Sequence, residues 1–499
     1  MVQRVSQIVL SWAISICLIG LPATGEQSAE RSSDDHYVGE SENGLRHGSG
    51  ILRLPNGYVY EGMWFEGSQH GVGAAIYPDG SEYVGEFDSG RRHGDGVMRF
   101  ADGSEYSGEW HDDLISGTGV FASADGAIYR GSLAKGQRSG PGTLELANGH
   151  VLQGEWKDGR LEGRGREIRP DGSEYVGNFV NGVADGYGDL SLTDGGVFSG
   201  NFAAGRPHGP GTLVTASGIT ITGDWVGFDV DGDAEIAYPD GTIYQGGVAG
   251  GRPSGAGVMT RPDGFRYEGG WRNGLFHGRG DTTYPSGETY SGEFAGGMRH
   301  GRGRWKAADG TLFLSEWHDG KAQGPGQIRF ANGDVFEGNI KNNEPEGPGS
   351  LTSADGTRIL GTWSHGLLSR HVEIFFPDGS VYVGDYSDSV MHGEGTLILP
   401  SGYRYTGGFA HGKKQGDGTE WLADGTRYSG RFDEGQRSGQ GVVDYPDGYR
   451  YEGAWLDGLP NGTGRAEYPN GNVYVGEFKD GRRHGQGRMI YSIATDDGG

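Results

Sequence analysis

The sequence holds a single cysteine, Cys17, and few positive charges: 42 Lys and Arg stand against 67 Asp and Glu, a net of −25. With its one thiol inside the N-terminal apolar segment, the remainder of the chain can form no disulfide and must be held by packing and strand pairing. The acidic balance disfavours non-specific binding to nucleic acid or to an anionic bilayer. The apolar run Ile8–Leu21 has only 14 residues, short of the roughly 20 needed to span a bilayer as a helix. There is no nucleophile elbow, no phosphate loop opening a helix and no patterned helix to carry one, so no catalytic residue, cofactor or resident metal is expected.

That apolar run follows Arg4 and precedes the small residues Ala23-Thr24-Gly25, the layout of a secretory signal peptide over 1–25. The expected location is therefore the periplasm, the cell envelope or the secreted space. Residues 26–36 (EQSAERSSDDH) are polar and read as a flexible linker.

Glycine is what the chain has in excess, 102 residues of 499. It is strictly spaced. Tyr83–Glu105 reads YVGEFDSGRRHGDGVMRFADGSE, and Tyr106 begins the same pattern again. Twenty such repeats of 23 residues run from Tyr37 to the one that opens at Tyr474, without insertion or deletion. Counting the leading Tyr as place one, Gly occupies place three in 19 repeats, place twelve in 19, place fourteen in 18 and place twenty-one in 19. A fixed period of this kind marks a repeat architecture, in which each repeat touches only its neighbours.

Within a repeat, places one to five and twelve to eighteen alternate, which predicts two short strands. Asp-Gly or Asn-Gly between repeats predicts a tight type I′ turn there, and a longer Gly-containing loop is expected within each repeat. The fold class is then all-β: an elongated, twisted, single-layer antiparallel meander of about twenty hairpins over 37–496, one domain on the order of 190 Å long at about 4.8 Å per strand. Essentially no helix is expected after residue 25, and 497–499 should be a disordered tail. In simple register, Tyr, Gly and Trp or Phe share one face, with rings lying in bays left by the glycines. Gly269→Val should then crowd Trp271. Repeat nine (from Ile221) has Phe228 and Ala234 at glycine places and repeat fifteen (from Ile359) has Arg370 and Val372, so strand pairing should distort in both.

The string YxGxW/F, then HGxG and a closing D/N-G, resembles the MORN (membrane occupation and recognition nexus) repeat, here in a secreted form of bacterial type, over residues 37 to about 491. The family's name implies membrane association. Two surfaces are candidates for binding. One is the aromatic stripe, Trp64, Trp110, Trp156, Trp271, Tyr83 and Tyr106, which a sheet one layer thick should leave partly uncovered. It suits a protein partner, a second copy of the chain (a homodimer) or, less directly, a carbohydrate. The other is a basic edge at places nine and ten, including Arg91, Arg92, Lys413, Lys414, Arg482 and Arg483, suited to phospholipid head groups. Place twenty, Asp in 12 repeats, should make the opposite edge acidic. No nucleic-acid partner is expected.

Chemistry-bearing clusters are weaker. Asp229–Glu235 looks like a calcium loop but lacks the spacing of one. Histidines recur at place eleven, including His47, His70, His93, His300 and His392. Equivalent places in successive repeats lie about 9.6 Å apart, too far to share a metal. The same spacing gives Glu86 and Glu109 a solvated ladder with no contrast in pKa, which does not make an acid–base pair.

Overall fold

A computed structural model describes residues 36–492; the expected signal peptide lies outside the described residues. The described chain is all-β, with no helix, and forms an open antiparallel meander of 41 strands. The strands fall in two compact halves, 19 up to Gly251 and 22 from Arg252 onward. The first strand, His36–Glu42, begins one residue inside the segment predicted as linker.

Repeat three shows how the residues build a hairpin. Strand Glu82–Asp88 turns at Ser89-Gly90 into strand Arg91–Arg99, with Asp88 paired to Arg91. Ser89 and Gly90 have φ of 49° and 83°. Two successive positive φ values are what a type I′ turn requires. The tight turn is thus inside the repeat, and the prediction had the two connections exchanged. Between repeats, Arg99 pairs with Glu105 and residues 100–104 form a longer loop. There Gly103 N donates to the Phe100 carbonyl at 3.0 Å, and Gly103 alone takes the left-handed conformation, φ 87°. Asp102 Oδ1 instead accepts from Ser104 N at 2.8 Å, an Asx turn, so the Asp of Asp-Gly serves as a cap.

Simple register also fails, at one spot in nearly every hairpin. Gly85 pairs with Gly96, yet Glu86 pairs with His93, which leaves Gly94 and Asp95 as a bulge on the second strand. Gly94 has φ 60°, the left-handed residue such a bulge needs. The bulge disturbs the ladder inside the repeat only, because Gly94 and Asp95 pair normally with Trp110 and Glu109 of the next one.

Two of its groups are capped by side chains. Place-one tyrosines donate to the carbonyl at place four: Tyr83 to Glu86 at 2.9 Å, Tyr106 to Glu109 at 3.0 Å, Tyr428 to Arg431 at 3.0 Å. Glu109 in turn accepts from the backbone N of Thr118 at 3.1 Å and its hydroxyl at 2.6 Å, which holds the carboxyl below its ordinary pKa. Place-four Glu here is a bulge cap.

The two irregular repeats differ. In repeat nine the strands Thr220–Val226 and Asp229–Ala237 keep the usual ladder, and Ala234 sits opposite Gly223. The expected distortion is absent because Gly232, φ 83°, still occupies the bulge. In repeat fifteen Arg370 stands at that place, and the strand breaks into Leu367–Leu368 and His371–Phe375. A residue other than glycine is disfavoured in the left-handed conformation, so losing the glycine loses the bulge and the pairing with it.

Candidate functional site

The aromatic places form the core. Tyr83 packs edge-to-face on Phe87 of its own repeat, with centroids 5.1 Å apart, and on Trp110 of the next at 5.3 Å. In the C-terminal half Tyr428 meets Phe432 at 5.1 Å and Trp455 at 5.0 Å in the same way. Rings prefer this geometry because a positive edge meets a negative face. The glycines at places three and fourteen make room, since a Cβ on Gly96 would overlap the Tyr83 ring. A Cβ on Gly269 would meet the Gly280 Cα and the Arg279 carbonyl of the paired strand first and then the Tyr267 hydroxyl, so the crowding expected at Trp271 falls on that backbone and on Tyr267.

The partly uncovered stripe is not found. Trp64, Trp110, Trp156 and Trp271 are 4–5 % exposed and Tyr83 and Tyr106 are 0 % exposed. The lid was in the sequence as the base at place ten. Arg92 lies 4.4 Å from the Trp110 centroid, Arg138 4.5 Å from Trp156 and Arg299 4.3 Å from Trp317. Each of these arginines also donates to the turn of the next repeat, Arg92 to the Asp113 carbonyl at 3.1 Å and Arg138 to that of Gly159 at 2.9 Å. Burial lowers the pKa of Arg138 and of Arg299. The signal that could have found the lids is that every place-five Trp follows a repeat whose place ten is Arg or Pro, Pro207, Pro253 and Pro345 preceding Trp225, Trp271 and Trp363.

The basic edge therefore divides. Places nine and ten are neighbours on a strand and point to opposite faces. The side chain of Arg91 is 60 % exposed and that of Arg92 18 %; Lys413 and Lys414 are 58 % and 22 %. Lys414 sits 4.7 Å from the Phe432 centroid. Its ammonium bonds Glu420 at 2.8 Å, a carboxylate that Arg437 also holds at 2.6 Å and Tyr403 at 2.7 Å. The outward bases meet acids of the next turn, Arg91 with Asp112 at 3.8 Å and Lys413 with Glu434 at 2.6 Å. Among the six residues assigned to this edge, Arg482 and Arg483 alone remain exposed without an acidic partner among the described residues, on the strand Arg482–Ile490.

Other candidates stay separate. Histidines at place eleven meet rings of the next repeat, His93 with His111 at 5.1 Å and His300 with His318 at 5.5 Å. Among the described residues no group of three or more His, Cys, Asp or Glu is arranged to hold a metal ion. The calcium-like segment is the strand Asp229–Ala237; the Asp231 side chain is outside the described residues.

An apolar patch that the repeat pattern did not single out lies in the first two repeats. Met63 replaces the usual Glu at place four, and Leu45, Met63, Phe65 and Val72 are each 46–51 % exposed. Phe65 lies between His47 at 5.4 Å and His70 at 5.6 Å.

The MORN repeat family model matches eighteen segments between residues 37 and 493, covering most of the chain. The chain belongs to the MORN repeat family. Residues 221–243 and 359–381, repeats nine and fifteen, are the two repeats left unmatched. No curated protein matches. Among solved structures the chain is similar to the TCP domain of Drosophila melanogaster SAS-4 (dCPAP), in complex with a proline-rich motif of Ana2, at 14 % identity over 36 % of this chain and 90 % of that one, TM-score 0.22. It is similar to the TCP10 domain of Danio rerio CPAP at 17 % identity, 47 % and 96 % coverage and TM-score 0.19. For a virginiamycin B lyase from Staphylococcus aureus the figures are 11 %, 68 %, 96 % and 0.11. Scores this low carry no argument about function.

Proposed function

We propose that the chain is a non-enzymatic repeat scaffold, exported to the cell envelope or beyond, that binds a protein partner or a second copy through outward-facing side chains. The observation that carries this reading is the group Leu45, Met63, Phe65 and Val72, four apolar side chains each about half exposed within the first two repeats, with Met63 at a place where Glu is the commonest residue. Contiguous exposed apolar surface is the usual mark of an interaction site. Docking on phospholipid would need bases turned to solvent, and Arg92 and Lys414 are instead spent on rings while Arg91 and Lys413 meet acids. Stacking on sugars would need the rings that are buried.

The test is capture of envelope proteins, and measurement of self-association, by the mature chain and by a Met63→Ser, Phe65→Ser variant, alongside sedimentation with anionic vesicles. Loss of capture or self-association in the variant supports the reading. Vesicle binding that moderate salt abolishes, with capture unchanged by the variant, overturns it.

A further inference from the structure

Eight repeats carry Trp at place five, and seven of these donate the indole N–H to the carbonyl of Gly at place fourteen of the repeat before. Trp64 to Gly50 is 3.2 Å, Trp110 to Gly96 3.4 Å, Trp156 to Gly142 3.0 Å and Trp225 to Gly211 3.0 Å. Trp271 to Gly257 is 3.1 Å, Trp317 to Gly303 3.2 Å and Trp455 to Gly441 3.1 Å. The eighth, Trp363, keeps the usual ladder partner, Gly347, and is 4 % exposed, yet it donates to no described residue. Its N–H is unpaired yet reachable from solvent, since the indole N–H buried without a partner among the described residues is that of Trp305.

What sets this repeat apart is that the strand after Trp363 breaks beyond Leu368; Pro345 at place ten and Ile359 at place one are shared with repeats whose tryptophans keep the bond, Pro207 and Ile221 flanking Trp225 and Pro253 preceding Trp271. Beside Trp363 is a cavity of about 440 Å³, walled by Phe330, Phe336, Pro345 and Leu351 and edged by Asp309 and Asp334. The volume is in the range of small-molecule sites, and no base lines it. Asp309 accepts from the Thr311 backbone N at 2.8 Å and from its hydroxyl at 3.0 Å, and Asp334 from Ala354 N at 3.0 Å and the Asn332 amide at 2.8 Å. A carboxylate has about four acceptor sites, so both keep capacity for a further donor.

We propose that this cavity binds a small organic cation with a flat apolar body and an oxygen at the far end: the oxygen accepts the Trp363 N–H, the body lies against Phe336 and Leu351, and the ammonium meets Asp309 or Asp334. The site is independent of the protein-binding patch.

The probes are tyramine, phenethylamine, which lacks the oxygen, and p-hydroxyphenylacetate, which reverses the charge. Each is titrated by fluorine NMR into the full chain labelled with fluorotryptophan, with Trp363→Phe identifying the Trp363 resonance. Tyramine should move that resonance and bind about three- to tenfold more tightly than phenethylamine, the worth of one hydrogen bond. The acid should not bind. Pro345→Arg, a residue the repeat accepts at that place elsewhere, should put a guanidinium over the ring and weaken tyramine at least tenfold. Equal binding of amine and acid, no shift at about tenfold millimolar excess, or binding untouched by Pro345→Arg in a folded protein would overturn the assignment.

Discussion

The phenol ring of Tyr83 fills the space that a Cβ on Gly96 would need, while its hydroxyl donates to the Glu86 carbonyl at 2.9 Å. The exceptions obey the same geometry. Ala234, Val372 and Ser315 stand at glycine places only in the repeats that open with Ile221, Ile359 and Phe313 instead of Tyr. Ring and glycine are one packing unit.

From that unit follows a coupling experiment. Gly96→Ala should cost about 1–3 kcal/mol as overpacking. Combined with Tyr83→Ile it should cost less than the sum of the two single changes, by about 1 kcal/mol or more. Urea melts of the four proteins give the cycle, and strict additivity would show that the ring is not the obstacle.

The two bases of repeat three should behave differently. Arg92→Ala removes a cation from over Trp110 and a bond to the next turn, and should cost about 1–2 kcal/mol. Arg91→Ala should stay within about 0.5 kcal/mol, as expected for an exposed pair. Equal losses in thermal melts would contradict the division of this edge.

Glu420 is a buried carboxylate at a place that is usually apolar. Burial raises its pKa, but hydrogen bonds from Lys414, Tyr403 and Arg437 outweigh this and hold it below the ordinary value of 4.5. Its stabilisation is present above that unfolded value and is lost as pH falls through the lower folded one. Glu420→Gln should cost about 2–3 kcal/mol at neutral pH by stranding two cations. Its stability should also fall less steeply than the native chain's in acid melts below pH 4.5.

At alkaline pH the tyrosines set the limit. Burial pushes Tyr175, Tyr267, Tyr290, Tyr382, Tyr428 and Tyr451 up to about 12 from 10.0. A raised folded pKa stabilises below the unfolded value, and that contribution disappears as pH rises from 10 to about 12. Phenolate absorbance and circular dichroism should therefore change together in that window. Phenolates forming in a chain that keeps its strand signal would show the rings to be accessible.

Much of this was legible before the structure, because a hairpin that recurs twenty times writes its strand pattern and glycines in every copy. The bulge at Gly94–Asp95 was not, since Gly at places twelve and fourteen looks like plain alternation and only the backbone shows that the first is left-handed. Without the bulge, the reason for Tyr at place one and Glu at place four stays hidden. Reading Arg91 and Arg92 as one edge failed for a similar reason: charge is visible in a sequence, but the face it points to depends on where the strand starts.

The lids also give the row an order. A base at place ten within the row, as at Arg46, Arg92 and Arg437, is followed by an aromatic at the next place five, here Trp64, Trp110 and Trp455. Ahead of Leu133, Val248 and Ile340 stand Ile115, Val230 and Ala322. Each repeat is thus spelled to suit its successor, and excising 106–128 would set Arg92 against Leu133, a mismatch written into an otherwise seamless splice.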